Sequence, residues 1–160
     1  MSDLDRCYTT ALKILGHRFN SVHELKRKLA ARAFSPDEIG DTIKRLVDEK
    51  WLDDERYAGA LVRVRARKRV GRLRIRQELR ASGVADDAAN TALSENIAPD
   101  DERVQLVALC QKKMRLLANR NGDAYLSTDE GRNKLTAFLL RQGYEMSLVI
   151  EVIREQMKKT

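Results

Sequence analysis

Eight cationic side chains crowd into residues 63–76: Arg63, Arg65, Arg67, Lys68, Arg69, Arg72, Arg74 and Arg76, with no acidic residue among them. Like charges at this density repel one another. A polyanion relieves that repulsion by neutralising the charges and releasing counterions, so the chemistry these residues offer is binding of phosphates or acidic protein surfaces. Catalytic chemistry finds no comparable support. The two histidines, His17 and His23, lie in no HExxH pattern and beside no cysteine pair, and no GxSxG, Walker or GxGxxG motif is present. The adjacent acids Asp53/Asp54, Asp86/Asp87 and Asp100/Asp101 each precede an apolar-periodic run and read as helix caps rather than metal ligands. Cys7 and Cys110 have no CxxC partner and read as reduced structural thiols. These observations predict a non-enzymatic protein without cofactor or metal.

The elements that carry the cations are helical. Tyr57, Leu61 and Val64 fall in one stripe with Ala58 and Val62 beside it, which predicts a helix from Asp53 or Asp54 to near Gly71 that buries this stripe. Trp51 and Leu52 precede it as an apolar pair and are expected in the core, as are Phe34, Tyr57 and Tyr144. Upstream, Leu4, Tyr8, Ala11, Leu12 and Leu15 mark a helix over residues 3–17. Ser21 with Glu24 and Ser35 with Glu38 form capping boxes that open two more, the second with Pro36 at its first position. Residues 119–127, NRNGDAYLS, read as the longest and most mobile connection, with a further capping box at Ser127 and Glu130. Across 160 residues the net charge is +7 with 34% charged residues, eight glycines and two prolines, which suits an all-α protein. No apolar run reaches membrane-spanning length and no secretory leader is visible, so a soluble, cytoplasmic protein without membrane contact is expected.

Self-similarity organises the nine expected helices. Leu25, Leu29, Ala33, Phe34, Ile39 and Ile43 recur fifty positions later as Ile75, Leu79, Gly83, Val84, Ala89 and Leu93. Sixty positions further they recur as Leu135, Leu139, Gly143, Tyr144, Val149 and Ile153. The small residue at 33, 83 and 143 suits a helix end with φ > 0, Ala33 being the imperfect copy. The expected architecture is three tandem three-helix, helix-turn-helix-like repeats, residues 1–50, 51–98 (the basic one) and 99–160, stacked into an elongated, curved solenoid. A weak helix-turn-helix pattern, ELRASGVADDAANTAL, keeps open a sequence-specific DNA-binding transcriptional regulator, although the second helix of that pattern is acidic and alanine-rich.

Four segments together resemble the RecX regulatory family. They are S-x-x-E-L-x-x-K-L over 21–29, W-L-D-D-x-R-Y-A over 51–58, I-R-x-E-L-x-x-x-G over 75–83 and F-L-L-R-x-G-Y over 138–144. The resemblance implies a bacterial, cytoplasmic protein that lies in the groove of the RecA filament on DNA and restrains ATP hydrolysis, coprotease activity and strand exchange, with consequences for DNA repair and the SOS response. It also implies weak, non-specific contact with single- and double-stranded DNA. The eight cations are the expected RecA/DNA-binding residues of a protein expected to be monomeric. Val70-Gly71-Arg72 stands where the family often carries a G-x-G loop, and the third repeat matches less closely.

Overall fold

The computed structural model describes residues 1–160 and is all-helical, with the helices arranged as three successive groups of three. The first group is α1 (Asp3–His17), α2 (Val22–Ala30) and α3 (Pro36–Asp48). The second is α4 (Asp54–Arg67), α5 (Arg72–Ala81) and α6 (Asp86–Asn96). The third is α7 (Pro99–Asn121), α8 (Asp129–Arg141) and α9 (Met146–Lys158), with a 3₁₀ turn at Asp123–Ser127 between α7 and α8. No helix is long and apolar enough to cross a membrane. Every helix of the first group opens on a serine whose hydroxyl accepts the N–H three residues on while that residue's carboxylate reaches back. The pairs are Ser2/Asp5, Ser21/Glu24 and Ser35/Glu38. Such caps satisfy donors that a helix start would otherwise leave bare, each worth about 1 kcal/mol.

The repeat register is borne out by burial. Leu25, Leu29, Ile39 and Ile43, then Ile75, Leu79, Ala89 and Leu93, then Leu135, Leu139, Val149 and Ile153 are all buried. At the turn between the second and third helix of each group, Ala33, Gly83 and Gly143 have φ of +64°, +77° and +96°. In the first two turns the next residue donates its N–H back to the carbonyl of Leu29 or Leu79. Leu29 and Leu79 therefore hold the core with their side chains and the turn with their backbones.

The chain forms two compact units, Met1–Leu61 with Glu78–Ala92, and Val62–Gln77 with Leu93–Thr160. In the first, Cys7, Ala11 and Ile14 of α1 pack with Leu25, Leu29, Ile39, Ile43, Leu46 and Leu52. In the second, Leu106, Cys110, Met114 and Leu117 of α7 pack with Leu126, Leu135, Leu139, Tyr144 and the buried valines of α9. Both cysteines are free and buried, and burial pushes the Cys110 thiol up to about 11. That thiol is protonated and unreactive at neutral pH.

Five details differ from expectation. Helix α4 stops at Arg67, because Lys68 and the left-handed Arg69 (φ +57°) close it with N–H bonds to the Arg65 and Ala66 carbonyls. The inward arc of α4 keeps Tyr57 and adds Gly59 and Ala66 to Ala58 and Val62, whereas Val64 is 43% exposed. Leu52 enters the core, whereas Trp51 is 58% exposed. The polar segment 119–127 is largely helical: α7 runs through Asn121, and the 3₁₀ turn buries Leu126. Finally, Thr128 rather than Ser127 caps α8, its hydroxyl accepting the Gly131 N–H at 3.1 Å.

Candidate nucleic-acid interface

The eight cations occupy the last turns of α4, the short connection 68–71 and the first turns of α5, all within the second unit. Arg63, Arg67, Lys68, Arg69 and Arg74 are exposed, and Arg65, Arg72 and Arg76 are half-buried. Their environments separate two kinds of work. Arg63 donates to the Asn96 side chain at 3.1 Å, which orients its guanidinium while leaving it in solvent. Arg72 is spent internally: its Nε lies 2.9 Å from a carboxylate oxygen of Glu102, and an Nη donates to the Ile97 carbonyl. The Nε atom lacks an aligned hydrogen-bond acceptor, so its contact with Glu102 is an ion pair. Arg76 Nε is likewise buried without a hydrogen-bond partner. Arg63, Arg67, Lys68, Arg69 and Arg74 are the exposed cations of the run, and the exposed Val64 and Leu73 stand among them. Guanidinium groups interleaved with apolar side chains suit phosphate contacts and an acidic protein surface alike.

The connection carrying Lys68 and Arg69 is pinned from outside its own helices. The Gly71 N–H donates to the Gln142 carbonyl at 2.7 Å, the Leu73 N–H to the Gly143 carbonyl at 3.0 Å, and the Tyr144 hydroxyl to the Arg69 carbonyl at 2.9 Å. Two glycines make this approach possible. A Cβ on Gly71 would fall onto the Gly143 carbonyl and 2.6 Å from the Tyr144 nitrogen; one on Gly143 would strike Arg74 Cβ and lie 2.7 Å from the Arg74 nitrogen. Burial, with the Glu102 carboxylate nearby as the lesser cause, pushes the Tyr144 phenol up to about 12, so it remains a hydrogen-bond donor at neutral pH. Arg69 therefore presents its side chain from a backbone that is fixed at its carbonyl and strained at its φ.

The same joint recurs in the first unit. Ser21 Oγ donates to the Ser82 carbonyl at 2.5 Å, and a Cβ on Gly83 would strike His23 Cβ and lie 2.8 Å from its Cγ. Each joint thus sets the start of a repeat's second helix against the α-turn of the following repeat: 21–23 against 82–83, then 71–74 against 142–143. This is why glycine stands at 83 and 143. Ala33 is exposed, so only its φ is unusual. The acidic pair Asp53/Asp54 belongs to the first joint. Asp53 caps its own helix, accepting the Glu55 and Arg56 N–H groups at 2.9 and 3.2 Å. Asp54 instead accepts the Val22 N–H at 2.9 Å and so supplements the Ser21 cap of α2. Helix α6, the would-be recognition helix, begins with Asp86 and Asp87, Asp86 pairing with Arg80 at 2.9 Å.

Comparison with known proteins gives a consistent result. The family model described as the RecX second three-helix domain matches residues 53–93, and that of the RecX first three-helix domain matches residues 7–46. A regulatory protein RecX from Clostridium perfringens is 32% identical over 149 residues, covering 93% of this chain and 68% of that protein. One from Chromohalobacter salexigens is 37% identical over 126 residues, covering 71% of this chain and 82% of its own. Among solved structures, a crystal structure of RecX from Lactobacillus salivarius superposes with a TM-score of 0.79 at 26% identity, covering 96% of each chain.

Proposed function

Because this chain belongs to the RecX family of regulatory proteins, we propose that it acts as a non-enzymatic cytoplasmic regulator that binds the RecA filament on DNA. In this reading it lies along the filament groove as a monomer and lowers RecA's ATP hydrolysis, coprotease activity and strand exchange, thereby modulating DNA repair and the SOS response. The observation that carries the mechanism is the set of solvent-facing cations Arg63 and Arg67 on α4, Lys68 and Arg69 on the connection and Arg74 on α5, where the segment from Arg69 to Leu73 is hydrogen-bonded to the third repeat. A preorganised cationic surface loses little side-chain and backbone freedom on binding, so more of its electrostatic attraction survives as affinity. These five residues engage DNA phosphates and acidic RecA side chains. Arg65, Arg72 and Arg76 stand behind them, with Arg72 held by Glu102. If all five met phosphates of a duplex, log K would fall with log salt at a slope of about −4 to −5. The test is RecA on single-stranded DNA with ATP, titrated with this protein while hydrolysis is followed. Inhibition at stoichiometric protein supports the reading, and unchanged hydrolysis rejects it.

A further inference from the structure

The first unit carries a second feature that the basic connection does not absorb. Trp51 and Phe19 are 58% and 54% exposed, and both line a groove of about 580 Å³ floored by Leu12 and Leu15. A large exposed aromatic pair is unusual unless it meets a partner. Trp51 is held outward by its backbone. Lys50 turns left-handed (φ +61°), and the Trp51 and Leu52 N–H groups both donate to the Leu46 carbonyl, so that Leu52 goes inward and Trp51 out. Strain of this kind, about 1 kcal/mol or more for a residue other than glycine, persists where the presented side chain is useful.

The charge around the groove selects the occupant. Lys50 and Arg56 line it; Arg56 donates to the Lys50 carbonyl at 3.0 Å and sits 5.7 Å from the centre of the Phe19 ring. The one acid at the groove, Glu49, is consumed by Arg45 at 2.8 Å and by the Tyr8 hydroxyl. The groove therefore offers an indole face and cations whose charge its own acid does not cancel. We infer that it is a stacking site for an unpaired base of single-stranded nucleic acid, with Trp51 against the base and Lys50 and Arg56 toward the adjoining phosphates. Every base has a π face, so such a platform binds with little sequence preference, and the volume falls within the usual range for ligand sites. The site is argued from the groove alone and is tested on free DNA, so its outcome is independent of whether RecA is inhibited.

Trp51 is the only tryptophan in the chain, so its fluorescence reports the site directly. The full chain is titrated with a short oligothymidylate and, separately, with an abasic strand of the same length. The oligothymidylate quenches Trp51 saturably, and the abasic strand, which has the phosphates but no bases, does not. In parallel, anisotropy of labelled oligothymidylate shows Trp51→Ala binding about five- to a hundredfold more weakly, with Trp51→Phe in between. The circular dichroism of both variants stays that of the parent, because the side chain is exposed. Absence of quenching, equal quenching by the abasic strand, or unaltered affinity in Trp51→Ala overturns the inference. So does weaker binding of Trp51→Ala to the RecA filament with oligonucleotide affinity unchanged, which would assign the groove to a protein.

Discussion

Replacing Gly71 by alanine isolates the close approach that fixes the basic connection. The φ of Gly71 is not in the left-handed region, so the new methyl group adds no backbone strain of its own, but it falls onto the Gly143 carbonyl and 2.6 Å from the Tyr144 nitrogen. Both neighbours are backbone and cannot rotate away. Separation of the two segments breaks the Gly71 to Gln142 and Leu73 to Gly143 hydrogen bonds. Each donor stranded at the joint costs about 1–3 kcal/mol, so the variant with its two stranded donors loses about 2–6 kcal/mol. Gly143→Ala overlaps Arg74 across the same joint and in addition takes a φ of +96°, costing about 1–3 kcal/mol more, which brings its loss to about 3–9 kcal/mol. Gly122→Ala is the control, since φ is +95° there and nothing lies within 4 Å of the added carbon; it loses about 1–3 kcal/mol from strain alone. Urea unfolding followed by far-ultraviolet circular dichroism measures all three, because Trp51 lies in the first unit and its fluorescence reports that unit instead. A Gly71→Ala transition no lower than that of Gly122→Ala would refute the joint.

Further outcomes follow from individual contacts. Ala33→Gly relieves a left-handed alanine with no neighbour to disturb, and raises stability by about 0.5–1 kcal/mol after the extra freedom of glycine in the unfolded chain is subtracted; a lower urea midpoint contradicts this. Asp54→Ala removes the acceptor of the Val22 N–H and costs about 1–2 kcal/mol, although Asp54 is not the cap of its own helix; an effect confined to Asp53→Ala rejects this role of Asp54. Glu102→Ala leaves Arg72 half-buried without its counterion and costs about 1–3 kcal/mol in the same unfolding assay, while Glu102→Ala with Arg72→Met recovers part of the loss. Alkaline stability has a defined sign. Burial raises the folded-state Tyr144 phenol to about 12, above its ordinary value near 10, so the folded state holds the proton longer than the unfolded chain. The resulting stabilisation is complete below about pH 10 and is lost as pH rises toward 12. Tyr144→Phe loses about 1 kcal/mol at neutral pH with the Arg69 hydrogen bond, and its stability falls less steeply between pH 10 and 12; an unchanged slope assigns the loss elsewhere.

The helices and their repetition were legible because each copy places leucine, isoleucine, valine or alanine at the same helical spacing and a small residue at the turn. Even the left-handed turns could be anticipated at Gly83 and Gly143. What local pattern does not carry is the long-range reason for them: glycine at 83 and 143 admits His23 and Arg74, which lie 60 and 69 residues earlier in the chain. The division of roles between Asp53 and Asp54 is hidden for the same cause, since either acid satisfies the spacing of a cap and only the packed joint decides which one bonds the Val22 N–H at the start of α2. On α4 the inward arc beside Tyr57 and Val62 is made of Ala58, Gly59 and Ala66, small residues that a hydrophobic pattern ranks below Val64. Of the two apolar residues at 51 and 52, the left-handed Lys50 decides which turns inward. Within the basic run, type and density were plain in the sequence. Which cations face solvent was not, because Arg72 is claimed by Glu102, thirty residues away.

Engagement of the RecA filament on DNA by the solvent-facing cations of the second unit is the core of the function proposed above. Its most direct measurement is RecA ATP hydrolysis on single-stranded DNA, titrated with the parent protein, with Arg67→Glu/Arg69→Glu, and with Lys26→Glu/Arg27→Glu. All four side chains are exposed, and Arg69 contributes to the fold through its carbonyl, so the variants remain folded. The parent and the Lys26/Arg27 variant are expected to inhibit hydrolysis at similar concentrations, and the Arg67/Arg69 variant to require far more protein. Equal loss in the two variants would contradict it.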